Sequence, residues 1–190
     1  MNKIIILTAP SGSGKTSITR HLMRRFPEKL AFSISAATRK ARGEEKHGVD
    51  YYFLSEELFK QKIQQQAFVE WEMVYEGKYY GTLKSEIHRI WKEEKVPLLD
   101  IDVQGAVHVQ QEHRAQTLSI FIEPPSVDEL KRRLSSRGTE TPESLATRVN
   151  KATYELSFKD HFDKVIVNSN LEKACKEAEI IVRSFIEEVK

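Results

Sequence analysis

The run Ala9-Pro10-Ser11-Gly12-Ser13-Gly14-Lys15-Thr16 follows the apolar stretch Ile4-Ile5-Ile6-Leu7 and precedes residues of helical period. Apart from Ala9, which stands where the pattern has its first glycine, this is the spacing of a phosphate-binding loop. Glycines let successive amides turn toward phosphate oxygens, the helix behind them aims its positive end at the same anion, and the lysine reaches the outer phosphates. Thr16 supplies a hydroxyl of the kind that holds magnesium. Ala9 requires an ordinary negative φ there, and phosphate binding is expected to survive it. A glycine-rich turn alone would be a weak signal and could be a surface turn with an ordinary lysine. One set between an apolar strand and a helix, and ending in Gly-Lys-Thr, is a strong one.

A second cluster reads Arg39-x-x-Arg42-x-x-Glu45-x-x-Gly48-x-Asp50-Tyr51. Two guanidiniums three residues apart, in the company of Ser35, Tyr51 and Tyr80, suit the dianion of a phosphate monoester, because their planar forks match its oxygens and stay charged at any working pH. Either arginine alone would read as part of a solvated loop. Asp100 and Asp102 close an apolar strand at the carboxyl end, where ligands of open α/β sheets collect. Capping of the following helix is an alternative use for Asp102.

These residues must be positioned by a frame, and the apolar pattern supplies one. Short β-rich runs alternate with longer helical stretches, the signature of an α/β protein with a parallel sheet. Core strands are predicted at Lys3 to Leu7, Leu30 to Ile34, Val96 to Ile101, Thr117 to Ile122 and Lys164 to Val167. The first helix opens at the glycine-rich loop and runs to about Phe26, where Pro27 stops it. Ser126 and Glu129 have the spacing of a capping box for a helix ending near Gly138. Thr141-Pro142 marks another helix start, and a long amphipathic helix follows Asn170. From about Ala36 to Gln116 the order changes to a polar loop, a strand at Tyr51 to Leu54, a helix from Glu56 to Gln65 and a hairpin turning at Glu76-Gly77. An inserted lobe is expected in that region.

With 190 residues the chain is long enough for one core carrying a small lobe, and 30 basic against 28 acidic residues give no bulk argument for nucleic-acid binding. No segment approaches the roughly twenty apolar residues of a membrane span, and the amino terminus lacks the pattern of an export signal, so a soluble cytoplasmic protein is expected. The only cysteine, Cys175, excludes an intrachain disulfide or a thiolate zinc cluster and reads as a packed helix residue.

Over nearly its whole length the sequence resembles the guanylate kinases. Beyond the phosphate loop, the resemblance rests on Phe32-Ser33-Ile34-Ser35, Phe68-Val69-Glu70-Trp71, Tyr79-Tyr80-Gly81-Thr82 and Leu99-Asp100-Ile101-Asp102-Val103-Gln104-Gly105. It continues through Pro124-Pro125-Ser126, Arg137-Gly138-Thr139-Glu140-Thr141 and Val165-Ile166-Val167-Asn168. The resemblance implies an α/β P-loop NTPase fold, with a core at 1–34 and 96–190, a lid of arginines at about 126–157, and a small α+β acceptor-binding lobe at 35–95. It implies transfer of the γ-phosphoryl group of ATP to GMP or dGMP in purine metabolism, with magnesium as cofactor and no nucleic-acid, membrane or protein partner.

The same resemblance implies roles. Ser11, Gly12, Ser13, Gly14, Lys15, Thr16 and Ser17 would hold ATP, with Arg133 a further candidate. Ser35, Arg39, Arg42, Tyr51 and Tyr80 would bind the GMP phosphate, and Glu70 and Thr82 would read the base. Guanine offers N1–H and an amine on one edge, which one carboxylate accepts in bidentate fashion, while adenine cannot satisfy Glu70 that way. Asp100 would lie in the magnesium and water network and Asp102 near the acceptor nucleoside, although spacing does not assign one to either. Lys15, Arg42, Arg137 and Arg148 would carry the charge of transfer. Asn168 would touch the adenine side, or serve as a turn residue. Such an enzyme is expected to close over its substrates before chemistry.

Two departures from the family pattern stand out. Arg42-Gly43-Glu44-Glu45 lacks the usual loop proline, which is expected to alter acceptor affinity, and Ala36 and Ala37 replace frequent hydroxyl residues. A ribose bisphosphate phosphokinase of the same fold would need no Glu70. A phosphopeptide-binding module without catalysis would typically lack the working phosphate loop that Gly12, Gly14, Lys15 and Thr16 preserve.

Overall fold

In the computed structural model, residues 2–136 and 142–188 are described. The chain runs through β1 (Ile4–Thr8), α1 (Lys15–Arg25), β2 (Leu30–Phe32), β3 (Ala36–Ala37), β4 (Tyr52–Phe53), α2 (Glu56–Gln64), β5 (Phe68–Tyr75) and β6 (Lys78–Leu83). It continues with α3 (Lys84–Lys92), β7 (Val96–Asp100), α4 (Val103–His113), β8 (Thr117–Glu123), α5 (Val127–Ser135), α6 (Pro142–Leu156), β9 (Lys164–Val167) and α7 (Leu171–Glu187). The five predicted core strands form one parallel sheet in the order β2-β7-β1-β8-β9.

Every residue of β1 is buried, because helices cover both faces of the sheet. Ile5 and Leu7 pack with Leu22 of α1 and Ala174, Ala178 and Val182 of α7, while Ile4 and Ile6 pack with Ile87 of α3 and Val103, Ala106 and Val109 of α4. A period of two along one strand thus feeds two separate cores, each fully buried aliphatic contributing roughly 1.5–3 kcal/mol. Cys175 lies in the first of these cores, and burial raises the pKa of its thiol, in keeping with a packing role. The helix starts follow the predicted caps: Ser126 accepts from the Glu129 amide and Asn170 from the Lys173 amide. Glu129 does not complete a reciprocal box, since its carboxylate is taken by Arg132 and Arg133. α6 begins at Pro142 as expected, whereas Gly138 and Thr141 lie outside the described residues.

A second, four-stranded sheet has the order β4-β3-β6-β5, and its hairpin turns at Gly77, whose φ of 67° favours glycine. The expected polar loop starts at Thr38 rather than at about Ala36. Ala36 and Ala37 form β3, fully buried and paired with Tyr52-Phe53 on one side and Tyr80-Gly81 on the other.

β2 ends at Phe32 and not at Ile34, and the cause is a carboxylate. Ser33 still donates to the Leu98 carbonyl, but the Ile34 amide donates to Glu86 Oε1 at 3.0 Å and so leaves the sheet. Glu86, 2% exposed, also accepts from the Tyr52 hydroxyl at 2.8 Å and from two nitrogens of Arg89. It therefore ties together both points where the chain passes between the two sheets. Burial alone would raise its pKa, but the Arg89, Ile34 and Tyr52 donors outweigh that and lower it. Its stabilising effect is thus present above the ordinary carboxylate range and lost as pH falls through the lowered value. Glu86→Gln is expected to destabilise the fold by about 3 kcal/mol at neutral pH, since an amide cannot accept from all these donors. Urea unfolding measures this, and a loss under about 1 kcal/mol would show the contacts to be incidental.

Candidate active site

The phosphate loop bends at Gly12 and Gly14, with φ of 92° and 95°, and Gly14 is the N-cap of α1 with no side chain over the free amides. The first amides of α1 are therefore open to an anion. Two contacts hold the loop from behind. Asn168 Nδ2 donates to the Ser13 carbonyl at 2.7 Å, and a Cβ on Gly14 would come within 2.2 Å of that nitrogen. Arg133 in turn donates to the Asn168 carbonyl at 3.0 Å and pairs with Glu129. Asn168 thus holds the loop at Ser13, and Arg133 holds the backbone of Asn168.

Lys15 is ion-paired with Asp100 and donates to the Ile101 carbonyl at 3.2 Å. The cavity over it, about 460 Å³, is lined by Ser11, Gly12, Gly14, Thr16 and Ser17 of the loop, by Asp100 and Asp102, and by Arg148 of α6. Asp102 also caps α4, accepting from the Gly105 amide at 2.9 Å, as the capping alternative expected.

A second cavity of about 210 Å³ adjoins the first and brings together Ser35, Tyr51, Glu70, Tyr80, Asp100 and Asp102. Tyr51, Asp100, Ile101 and Asp102 border both spaces, so the two form one cleft. Glu70 is 4% exposed and accepts from the Thr82 hydroxyl at 2.7 Å. Burial first, with Asp102 and Glu72 nearby, pushes its carboxyl up to about 7. Gly105 makes room for it, since a Cβ there would lie 2.6 Å from Glu70 Oε2.

The predicted arginines are arranged differently. Arg39 is packed over the Tyr51 ring at 4.6 Å and forked onto Glu45 at 2.6 and 2.8 Å, and neither it nor the exposed Arg42 lines either cavity. That fork, with the Arg42 amide, holds the Glu45 carboxyl down at about 2, and raises the guanidinium pKa of Arg39. Arg137 lies outside the described residues.

The guanylate kinase family model matches residues 1–185. The chain belongs to the guanylate kinase family. It is 46% identical over 184 residues to a guanylate kinase of Bacteroides fragilis, covering 97% of this chain and 90% of that one. To a guanylate kinase of Porphyromonas gingivalis it is 45% identical over 186 residues, covering 98% and 99%. The crystal structure of guanylate kinase from Anaplasma phagocytophilum superposes with a TM-score of 0.76 at 29% identity, covering 98% of this chain and 87% of that one. The fold is accordingly the P-loop NTPase fold of the guanylate kinase family.

Sequence reasoning passed over three cleft residues of this guanylate kinase family member. Glu72 lines the second cavity, Glu155 the first, and Lys151 both. Their signals were periodic. Glu72 lies two residues beyond Glu70 on the same strand face, and Arg148, Lys151 and Glu155 follow helical spacing of three and four.

Proposed function

We propose that this chain transfers the γ-phosphoryl group of ATP to GMP, and to dGMP, giving ADP and the nucleoside diphosphate. The observation that carries the acceptor assignment is Glu70, a buried carboxylate in the cavity that adjoins the one over the phosphate loop. An ionised carboxylate there accepts both N1–H and the amine of guanine, and Thr82, which donates to it, holds its orientation. Residues 35–95 act as the acceptor lobe and the rest as the core, with α5 and α6 supplying the lid.

Phosphoryl transfer asks the protein to hold two anions in line and to neutralise the migrating charge. The open amides of α1 and Lys15 bind the donor phosphates, and Arg148 lines the same cavity. Ser35, Tyr51 and Tyr80 supply hydroxyls for the acceptor phosphate. Arg39 and Arg42 reach it when the 35–95 lobe closes, a movement that also excludes water.

The donor set fits magnesium: the Thr16 hydroxyl and the Asp100 carboxylate border one cavity, and this hard cation takes one or two protein oxygens beside phosphate and water. Bound there, it would neutralise charge on the transferred phosphate. Among the described residues no helix is long and apolar enough to cross a membrane, and the reading places the reaction in the cytoplasm.

A coupled assay with ATP and GMP, dGMP, AMP, UMP or ribose bisphosphate tests the proposal. GMP and dGMP are expected to turn over at least a thousandfold more efficiently than AMP, as buried polar recognition allows roughly four orders of magnitude. Preference for AMP or for ribose bisphosphate would refute the base assignment.

A further inference from the structure

We propose that Lys151 of α6 is a further catalytic residue, contacting the phosphoryl group as it passes between the two cavities; this rests on the kinase reading above. Five residues border both cavities: Tyr51, Asp100, Ile101, Asp102 and Lys151. Lys151 is the one cation among them. It is also the one cation among the described residues lining the acceptor cavity, where it faces the carboxyl groups of Glu70, Glu72, Asp100 and Asp102. A phosphate monoester dianion entering a space lined by four carboxyl groups requires positive charge close at hand. Arg39 is engaged by Glu45 and Arg42 lies outside the cavity until the lobe closes, so Lys151 is the cation already in place at the junction.

The attachment of Lys151 suits that task. Its ammonium is 3.8 Å from Glu155 Oε1, an ion pair at the long end of the range, and its side chain is half exposed. Glu155 itself is 8% exposed and sits in the donor cavity, where burial raises its pKa. A long flexible stem held, among the described residues, by this one loose ion pair can swing to a phosphate oxygen in the cleft. Arg148, one turn earlier on the same helix, borders the donor cavity only. The two residues thus divide the path, Arg148 over the donor and Lys151 over the junction. No bond to Lys151 forms: the bond from the γ-phosphorus to the ADP oxygen breaks as one forms to an unprotonated oxygen of the acceptor phosphate dianion, the negative charge passing to ADP, while the ammonium neutralises charge throughout.

The test is steady-state kinetics of wild type, Lys151→Met and Lys151→Arg with ATP and GMP, with thermal unfolding of each. Lys151→Met is expected to lower kcat by 30- to 300-fold, to change KM for ATP less than threefold, and to leave the melting temperature within about two degrees. Lys151→Arg is expected to recover at least a third of wild-type kcat, which a role in helix packing or solvation would not predict. A kcat for Lys151→Met within twofold of wild type would overturn the proposal, as would equal losses in the Met and Arg variants. Should wild type itself fail to phosphorylate GMP, the kinase reading falls first; with wild type active and Lys151→Met unimpaired, this inference alone falls.

Discussion

Replacing Glu70 by Gln is expected to lower kcat/KM for GMP by roughly three to four orders of magnitude while leaving KM for ATP within twofold. The reason is the sign of two hydrogen bonds. Guanine presents two donors, and glutamine answers with one acceptor and one donor, so one buried donor meets another. Thr82 would still donate to the amide oxygen, which keeps the side chain in place and confines the change to recognition. The amide pattern matches adenine better than the carboxylate does, so the preference for GMP over AMP should collapse as well. Initial rates with both acceptors decide the matter; equal damage to ATP and GMP use would mean that Glu70 serves the fold.

The same residue ties acceptor use to pH. Burial, with Asp102 and Glu72 close by, raises the Glu70 carboxyl to about 7 before any nucleotide binds. Guanine needs the ionised form, so kcat/KM for GMP is expected to fall about tenfold per unit below that pH, and Glu70→Gln to lack this limb. Stability runs the other way. Because the folded pKa lies above the unfolded one, the folded state holds an extra proton between about 4.5 and 7, and the stability this contributes is lost as pH rises through about 7. At pH 8 the buried carboxylate costs roughly 3 kcal/mol. Glu70→Gln should therefore be the more stable protein at pH 8 and show much less advantage at pH 5.

What could be read in the sequence was whatever depends on local period or on a contiguous motif. The phosphate loop is eight consecutive residues, and β1 announces its two buried faces by an unbroken aliphatic run. β3 was not legible because two alanines carry no strand preference of their own; burial between Tyr52-Phe53 and Tyr80-Gly81 makes the strand. The end of β2 depended on Glu86, more than fifty residues away, taking the Ile34 amide. The cleft followed the same division. Glu70, Asp100 and Asp102 were found because their neighbours in sequence carried the pattern. Lys151 and Glu155 were not, because a charged helix face looks alike whether it meets water or a substrate. Asn168 shows a third case: its position could be read, but not its hydrogen bond to the Ser13 carbonyl, a contact across 155 residues.

Lys15→Met is expected to cut turnover at least a thousandfold while leaving the affinity for GMP unchanged. The magnitude follows from the chemistry: a cation placed on the transferred group is worth roughly three to five orders of magnitude in comparable phosphoryl transfers. The selectivity follows from the geometry, because Lys15 lines the cavity over the loop and not the one that holds Glu70. Methionine keeps most of the apolar stem but leaves the Asp100 carboxylate and the Ile101 carbonyl without their shared donor. Asp100 is only 21% exposed, so a modest loss of stability, roughly 1–2 kcal/mol, should accompany the kinetic one. Calorimetric titration with GMP, set beside single-turnover rates, separates the two effects. If GMP affinity fell in step with turnover, the two anion sites would not be separate, and a lysine acting on the donor alone would have to be given up.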